Sequence, residues 1–132
     1  MSKTFTTALT LNSTTLFPQA ATVTANLTQV VSGSADFSYK VISASSFTNL
    51  FRSTEADVSS TVYFYAQALS TNIQTLLLSI TGSNTSGSSM VRLRPGDITY
   101  MPLNVDAAGV SVNCINTSPS SSNIYVFYAE RS

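Results

Sequence analysis

Residues 21–42 read ATVTANLTQVVSGSADFSYKVI, and this stretch decides the fold class. Apolar residues alternate with polar ones from Ala21 to Thr28, and the alternation resumes from Ala35 to Val41. A period of two is typical of a half-buried β-strand, and the Ser-Gly-Ser between the two runs indicates a tight turn. We therefore predict a β-hairpin over residues 21–43.

The rest of the chain carries similar strand signals, separated by clusters of Ser, Gly, Asn and Pro. Residues 61–69 and 73–81 predict a second hairpin, and Arg94-Pro95-Gly96-Asp97 predicts a type II turn, because Pro and Gly suit its two central positions. No segment has the period of an amphipathic helix. The sequence therefore predicts an all-β fold: a single antiparallel β-sandwich domain over residues 1–132, of jelly-roll or Greek-key type, with about eight to nine strands.

The composition excludes more functions than it supports. The chain has 23 Ser and 18 Thr, together 41 of its 132 residues, but only six basic and six acidic residues, no His and one Cys. Without His, the common Ser–His relays and most zinc sites are excluded, and one Cys forms no internal disulfide. A net charge of zero argues against nucleic acid, and 43% hydrophobic residues argue against disorder. We expect no enzymatic activity, no metal and no cofactor.

Few residues are candidates for chemistry. Nothing in the sequence holds two of the carboxylates at a set separation across a cleft, so we expect turn and solvent roles for Glu55, Asp57, Asp97 and Asp106. Cys114 alternates with Val112, which indicates a small core residue. The tyrosines either straddle core and solvent or form a platform on which sugar rings stack. These tyrosines are Tyr39, Tyr63, Tyr65, Tyr100, Tyr125 and Tyr128.

Four residues are the candidates for binding a partner. Arg92 and Arg94 share one strand face, where they either grip an anionic group or form a solvated surface. Phe5 and Phe17 lie in an apolar segment within residues 1–20. This segment is either an extended arm that lies on a neighbouring copy or the first strand of the same sandwich.

Targeting signals are not evident at the start of the sequence. Met1 to Phe5 lacks the apolar core of a secretory signal, and the longest apolar run, Leu76 to Leu78, is far shorter than the roughly 20 residues needed to cross a bilayer. We expect no membrane association and synthesis in cytosol, where Cys114 stays reduced.

Residues 91–129 carry a resemblance to a known group of proteins. A leucine strand is followed by a Pro-Gly-Asp turn, a strand that ends in Pro-Leu, a valine strand and an apolar final strand. This order resembles small bacteriophage virion structural proteins, namely head decoration (cement) and tail-associated β-sandwich proteins. Pro-Gly-Asp turns also occur in cupins, but the cupin metal ligands are absent here. The residues concerned are Val91-Arg92-Leu93-Arg94-Pro95-Gly96-Asp97, Pro102-Leu103, Ala107-Ala108-Gly109-Val110 and 124–129.

The resemblance implies a non-enzymatic virion protein assembled in the host cytoplasm. A decoration protein would form a homo-oligomer, such as a trimer, and would stabilise the shell by binding the major capsid protein or another virion protein. The alternative is a carbohydrate- or receptor-binding module of a tail or head fibre, which would use the loops at 82–89 and 116–123 and nearby tyrosines. The resemblance assigns no site residues.

Overall fold

The computed structural model describes residues 3–15, 18–52, 61–81, 91–104 and 110–131. These residues form two antiparallel sheets and contain no helix, so none is long and apolar enough to span a membrane. The predicted all-β class is therefore confirmed. The strands are β1 Lys3–Ser13, β2 Ala21–Ile42, β3 Ser46–Arg52, β4 Thr61–Ala68, β5 Leu76–Thr81, β6 Val91–Leu93, β7 Ile98–Asn104, β8 Ser111–Asn116 and β9 Ser122–Arg131.

The strand order within the sheets is that of a jelly roll. One sheet has the order β1-β2-β9-β4-β7 and the other has the order β3-β8-β5-β6. From β2 to β9, consecutive strands belong to different sheets except β5 and β6, which pair with each other, and this is the double Greek-key arrangement of jelly rolls. β1 is an additional strand at the edge of the five-stranded sheet, where it pairs antiparallel with β2.

The core lies between the two sheets and is closely filled. Phe51 of β3 contacts Phe64 of β4 and Tyr128 of β9, with ring centroids 6.5 Å and 5.1 Å apart. Alternate residues of β4 and β9 enter this core, and the residues between them point to the opposite face of the sheet. Cys114 is fully buried in the core, as the sequence predicted.

The predicted hairpin over residues 21–43 is wrong, because β2 is one strand of 22 residues. Its first half pairs with β1, from Ala21 opposite Ser13 to Val31 opposite Lys3, and its second half pairs with β9. Val31 lies opposite Arg131 and Ala35 lies opposite Ala129, so β2 has two more residues than β9 in this interval. A bulge of this kind bends a strand without ending it, and Ser-Gly-Ser is as compatible with a bulge as with a turn.

The predicted hairpin of residues 61–69 and 73–81 is also wrong. β4 belongs to the five-stranded sheet and β5 to the four-stranded sheet, so the connection crosses from one to the other. Asn72 holds this crossing in place: its side-chain amide donates to the carbonyl of Asn123 at 2.8 Å and its Oδ1 accepts from the Asn123 N–H at 2.8 Å. Alternation identifies each strand but carries no information about the sheet that the strand joins.

The turn before β7 agrees with its sequence. The Asp97 N–H donates to the Arg94 carbonyl at 2.9 Å, and Gly96 has a φ of 88°, which is the conformation that a type II turn needs at its third position. Asp97 has the expected turn role, because its Oδ2 accepts from the Arg94 N–H at 3.0 Å. β7 is the other edge of the five-stranded sheet, which explains how it accommodates Pro102.

Candidate functional site

The outer face of the five-stranded sheet is covered with aromatic side chains. Residues of β4 and β9 that point away from the core, together with their neighbours on β2 and β7, fall into register across four strands. No described side chain on this face is charged. We call this surface the aromatic face, and its rings belong to Phe37, Tyr39, Tyr63, Tyr65, Tyr100, Tyr125 and Phe127.

The rings of the aromatic face pack against one another. Tyr125 stacks on Phe37 with a centroid distance of 5.7 Å and an interplanar angle of 18°, and it meets Tyr39 edge to face at 5.2 Å. Tyr63 stacks on Tyr100 at 6.1 Å. Such contacts between strands stabilise a sheet and hold the rings as a rigid surface.

A two-stranded ribbon, formed by β1 and residues 21–31 of β2, folds over this face. The Phe5 ring lies 5.5 Å from Tyr63 and 5.7 Å from Phe127, edge to face in both cases. In a flat sheet β1 would lie three strand spacings from β4, about 14 Å away. The Thr7 hydroxyl donates to the Tyr100 hydroxyl at 3.0 Å, although β7 is one strand farther still. The bend at the bulge of β2 therefore turns the ribbon back across the sheet towards β7.

The ribbon and the aromatic face enclose a shallow groove. Its volume is about 410 Å³. Aromatic rings and hydroxyl groups line it, and no charged side chain does. Partial burial raises the pKa of Tyr65, whose hydroxyl donates to Oε1 of Gln67 at 2.9 Å. The lining residues are Phe5, Thr6, Thr7, Ala8, Tyr65, Tyr100 and Phe127.

The ribbon has one polar side and one apolar side. On the polar side, the hydroxyls of Thr6 and Thr28 form a hydrogen bond of 2.9 Å, and Thr22 donates to Asn12 at 3.0 Å. Phe5 lies on the apolar side, and beyond it the apolar side chains are exposed to solvent. The exposed fractions are 43% for Leu9, 57% for Leu11, 61% for Val23 and 53% for Leu27.

The structure does not bring the predicted partner-binding residues together. Phe5 is half-buried against the aromatic face of its own chain. Phe17 lies outside the described residues. Arg92 is exposed on β6, at the edge of the four-stranded sheet, and Arg94 is exposed directly after it. Their alternation with the buried Leu93 agrees with the predicted strand face.

The remaining candidates are dispersed or not described. Glu55, Asp57, Asp106 and the loop at 82–89 lie outside the described residues. Burial raises the pKa of the Cys114 thiol to about 12, so this thiol is protonated at neutral pH. In the described part of the chain, no group of three or more His, Cys, Asp or Glu side chains is placed to hold a metal ion.

Five of the six tyrosines lie on one face, whereas Tyr128 points into the core. Phe37 and Phe127 belong to the same face, although the tyrosines alone were predicted as a platform. The spacing of two between Phe37 and Tyr39, and between Tyr125 and Phe127, was the signal that places them on the same face.

Comparison with known proteins adds little to this description. No family model matches the chain, and no curated protein matches it. The chain is similar to a cupin 2 conserved barrel domain protein from Salinispora arenicola CNS-205, with 14% identity and a TM-score of 0.44 over 71% of this chain. It spans 61% of the length of that protein. It is also similar to the Yersinia pseudotuberculosis-derived mitogen, with 17% identity and a TM-score of 0.45 over 74% of this chain and 86% of the mitogen.

Proposed function

We propose that this chain is a non-enzymatic structural protein of a bacteriophage virion, most simply a capsid decoration protein, which acts by binding copies of itself and the shell. One observation carries the association part of this proposal. Large apolar side chains are exposed both on the aromatic face and on the ribbon, where Phe37, Val41 and Val23 are 63%, 58% and 61% exposed. Clusters of exposed apolar side chains are typical of binding surfaces.

The chemistry of this surface favours contact with protein. Burying aromatic and aliphatic side chains away from water is favourable, and no described charge on the aromatic face has to be desolvated. Jelly rolls occur in viral capsid proteins, lectins and cupins, so the fold alone does not select a function. The virion assignment depends on the resemblance of residues 91–129 to decoration and tail-associated proteins.

Mass spectrometry of purified particles of the phage that encodes the chain tests the virion assignment. We expect the chain in a fixed ratio to the major capsid protein. We also expect particles without it to lose their genome at a lower temperature, because a ligand of the assembled shell stabilises that shell. Absence of the chain from purified particles would contradict the proposal.

Carbohydrate binding is the second candidate, and the stacked pair of Phe37 and Tyr125 supports it. Exposed, rigid aromatic rings on an uncharged surface suit the apolar face of a neutral sugar. A glycan array followed by titration calorimetry tests this function. We expect Tyr125→Ala to abolish glycan binding, whereas Phe47→Ala, which removes an exposed ring from the other sheet, leaves it unchanged. A wild-type protein that binds no glycan rules this candidate out.

A further inference from the structure

Two apolar surfaces stay uncovered after the ribbon has folded over the sheet. The first is the ribbon tip, which we define as Leu9, Leu11, Val23 and Leu27. The second is the open half of the aromatic face on β2 and β9, which we define as Phe37, Tyr39, Val41 and Tyr125. The first three residues of the open half are 63%, 49% and 58% exposed.

The ribbon tip does not reach the open half of its own chain. Phe5 lies over β9 and β4, and Thr7 reaches β7, so the ribbon runs towards the β7 edge. The open half lies on β2 and β9, towards the opposite side of the sheet. The Phe5 contacts show that the apolar side of this ribbon packs well on this kind of aromatic surface.

We infer that the ribbon tip of one copy packs on the open half of the aromatic face of a second copy. This inference rests on the self-association in the proposed function and names the two surfaces that perform it. No described side chain of either surface is charged, so their contact buries no ion. A two-stranded ribbon is marginally stable by itself in water, and such a contact would cover the part of the ribbon that its own sheet leaves exposed.

A contact between two different surfaces closes either as a twofold dimer, in which two copies exchange ribbon tips, or as a head-to-tail ring such as a trimer. The ribbon-tip residues lie within the paired stretches 7–13 and 21–27, seven residues on each strand, which span about 24 Å by about 10 Å, a footprint of about 240 Å². This is well below the roughly 800 Å² that each partner contributes to a standard interface. A single contact is therefore weak, and a closed oligomer in which each copy makes the contact twice, once with its tip and once with its open half, is the stable assembly.

A pair of charge variants tests the role of the ribbon tip. Leu11→Asp places a carboxylate on the apolar side, whereas Thr10→Asp places the same charge on the adjacent polar side, where the side chain is also exposed. By light scattering after size-exclusion chromatography, we expect Leu11→Asp to require at least about tenfold more protein to form the closed oligomer, equivalent to about 1.4 kcal/mol. Thr10→Asp should assemble like the wild type. Circular dichroism establishes that both variants are folded.

Cross-linking identifies the surface that receives the tip. Val23→Cys and Val41→Cys, one of them labelled with ¹⁵N, are mixed and treated with a short bismaleimide; Cys114 is buried and does not react. We expect products that join Val23→Cys to Val41→Cys between different copies, and none with Arg92→Cys on the other sheet. Products that join two Val23→Cys chains would show a symmetric contact between ribbons and overturn the inference. A wild-type monomer that still binds purified particles would overturn it, together with the self-association, while leaving the proposed binding to the shell in place.

Discussion

Replacing Phe5 with Ala should make the ribbon open from the sheet more often, without unfolding the sandwich. Phe5 is half-buried, and half of the free energy of burying a Phe side chain is about 1 kcal/mol. Its two edge-to-face contacts, with Tyr63 and Phe127, add about 1 kcal/mol together. The variant should therefore lose about 2 kcal/mol of the free energy that holds the ribbon against the aromatic face, which is a roughly 30-fold increase in the opening equilibrium.

Native-state hydrogen exchange measures this opening residue by residue. In Phe5→Ala we expect the amides of β1 and residues 21–31 to exchange roughly 30-fold faster, because they lie on the ribbon. The amides of β4 and β8, which are interior strands of the two sheets, should exchange at rates close to those of the wild type.

The control is Phe37→Ala, which removes a ring from the same face at a point that the ribbon does not cover. Phe37 stacks on Tyr125 and is 63% exposed, so its removal should leave ribbon exchange unchanged at a protein concentration at which the chain is monomeric. If Phe5→Ala exchanges at wild-type rates in the ribbon, the contacts of Phe5 do not hold it. If it accelerates exchange equally in β4 and β8, the ribbon is not a separate unit and the reasoning fails.

Three further predictions concern the body of the sandwich. Gly96→Ala should lower the free energy of unfolding in urea by about 1 kcal/mol, because alanine is strained at a φ of 88°. The new Cβ itself would fit, since it would lie 3.8 Å from Cβ of Ser70, an ordinary contact distance. No loss of stability would contradict the turn assignment. Asn116→Ala should lower the free energy of unfolding by about 2–3 kcal/mol in the same assay. The Asn116 side chain bonds the Ser118 N–H and three carbonyls, those of Ile42, Ser43 and Ser120, and all of them would lose this partner. A loss below about 1 kcal/mol would refute this account. Burial raises the pKa of the Cys114 thiol from 9.0 to about 12. Between pH 9 and pH 12 the thiol therefore loses its proton in the unfolded chain but keeps it in the folded chain. The free energy of unfolding falls over this range by up to about 1.4 kcal/mol per pH unit. Urea titrations of Cys114→Ala between pH 8 and 11 should show a shallower decline than the wild type, and parallel curves would contradict the raised pKa.

Alternation in the sequence predicted the class of fold, because period-two patterns depend only on neighbouring residues. It did not predict which strands pair. β2 pairs with β9, about 90 residues later in the sequence, and the serines and glycine at 32–34 fit a bulge as well as a turn. The turn at Arg94 to Asp97 was predictable in detail, because its geometry depends on Pro95 and Gly96 alone.

The aromatic face was only partly predictable for a related reason. In β4, Tyr63 and Tyr65 alternate with Val62, Phe64 and Ala66, so both faces of this strand are apolar. Hydrophobicity alone does not decide which set enters the core of such a strand. The inward residues of β4 and β9 include Phe64 and Tyr128, whose rings pack on Phe51 from the opposite sheet, so the choice of the inward set depends on both sheets together.

The bulge in β2 explains why the ribbon presents its apolar side to the aromatic face. Two extra residues between Val31 and Ala35 are an even number, so the odd-numbered positions on both sides of the bulge keep the same orientation. Phe37 and Tyr39 point outward, and the odd-numbered apolar residues of the ribbon therefore begin on that same outer side. When the ribbon folds back over the sheet, these two outer sides face each other, as the contacts of Phe5 with Tyr63 and Phe127 show. An odd number of extra residues would have turned the row of Thr and Asn side chains towards the rings and left the apolar row in water.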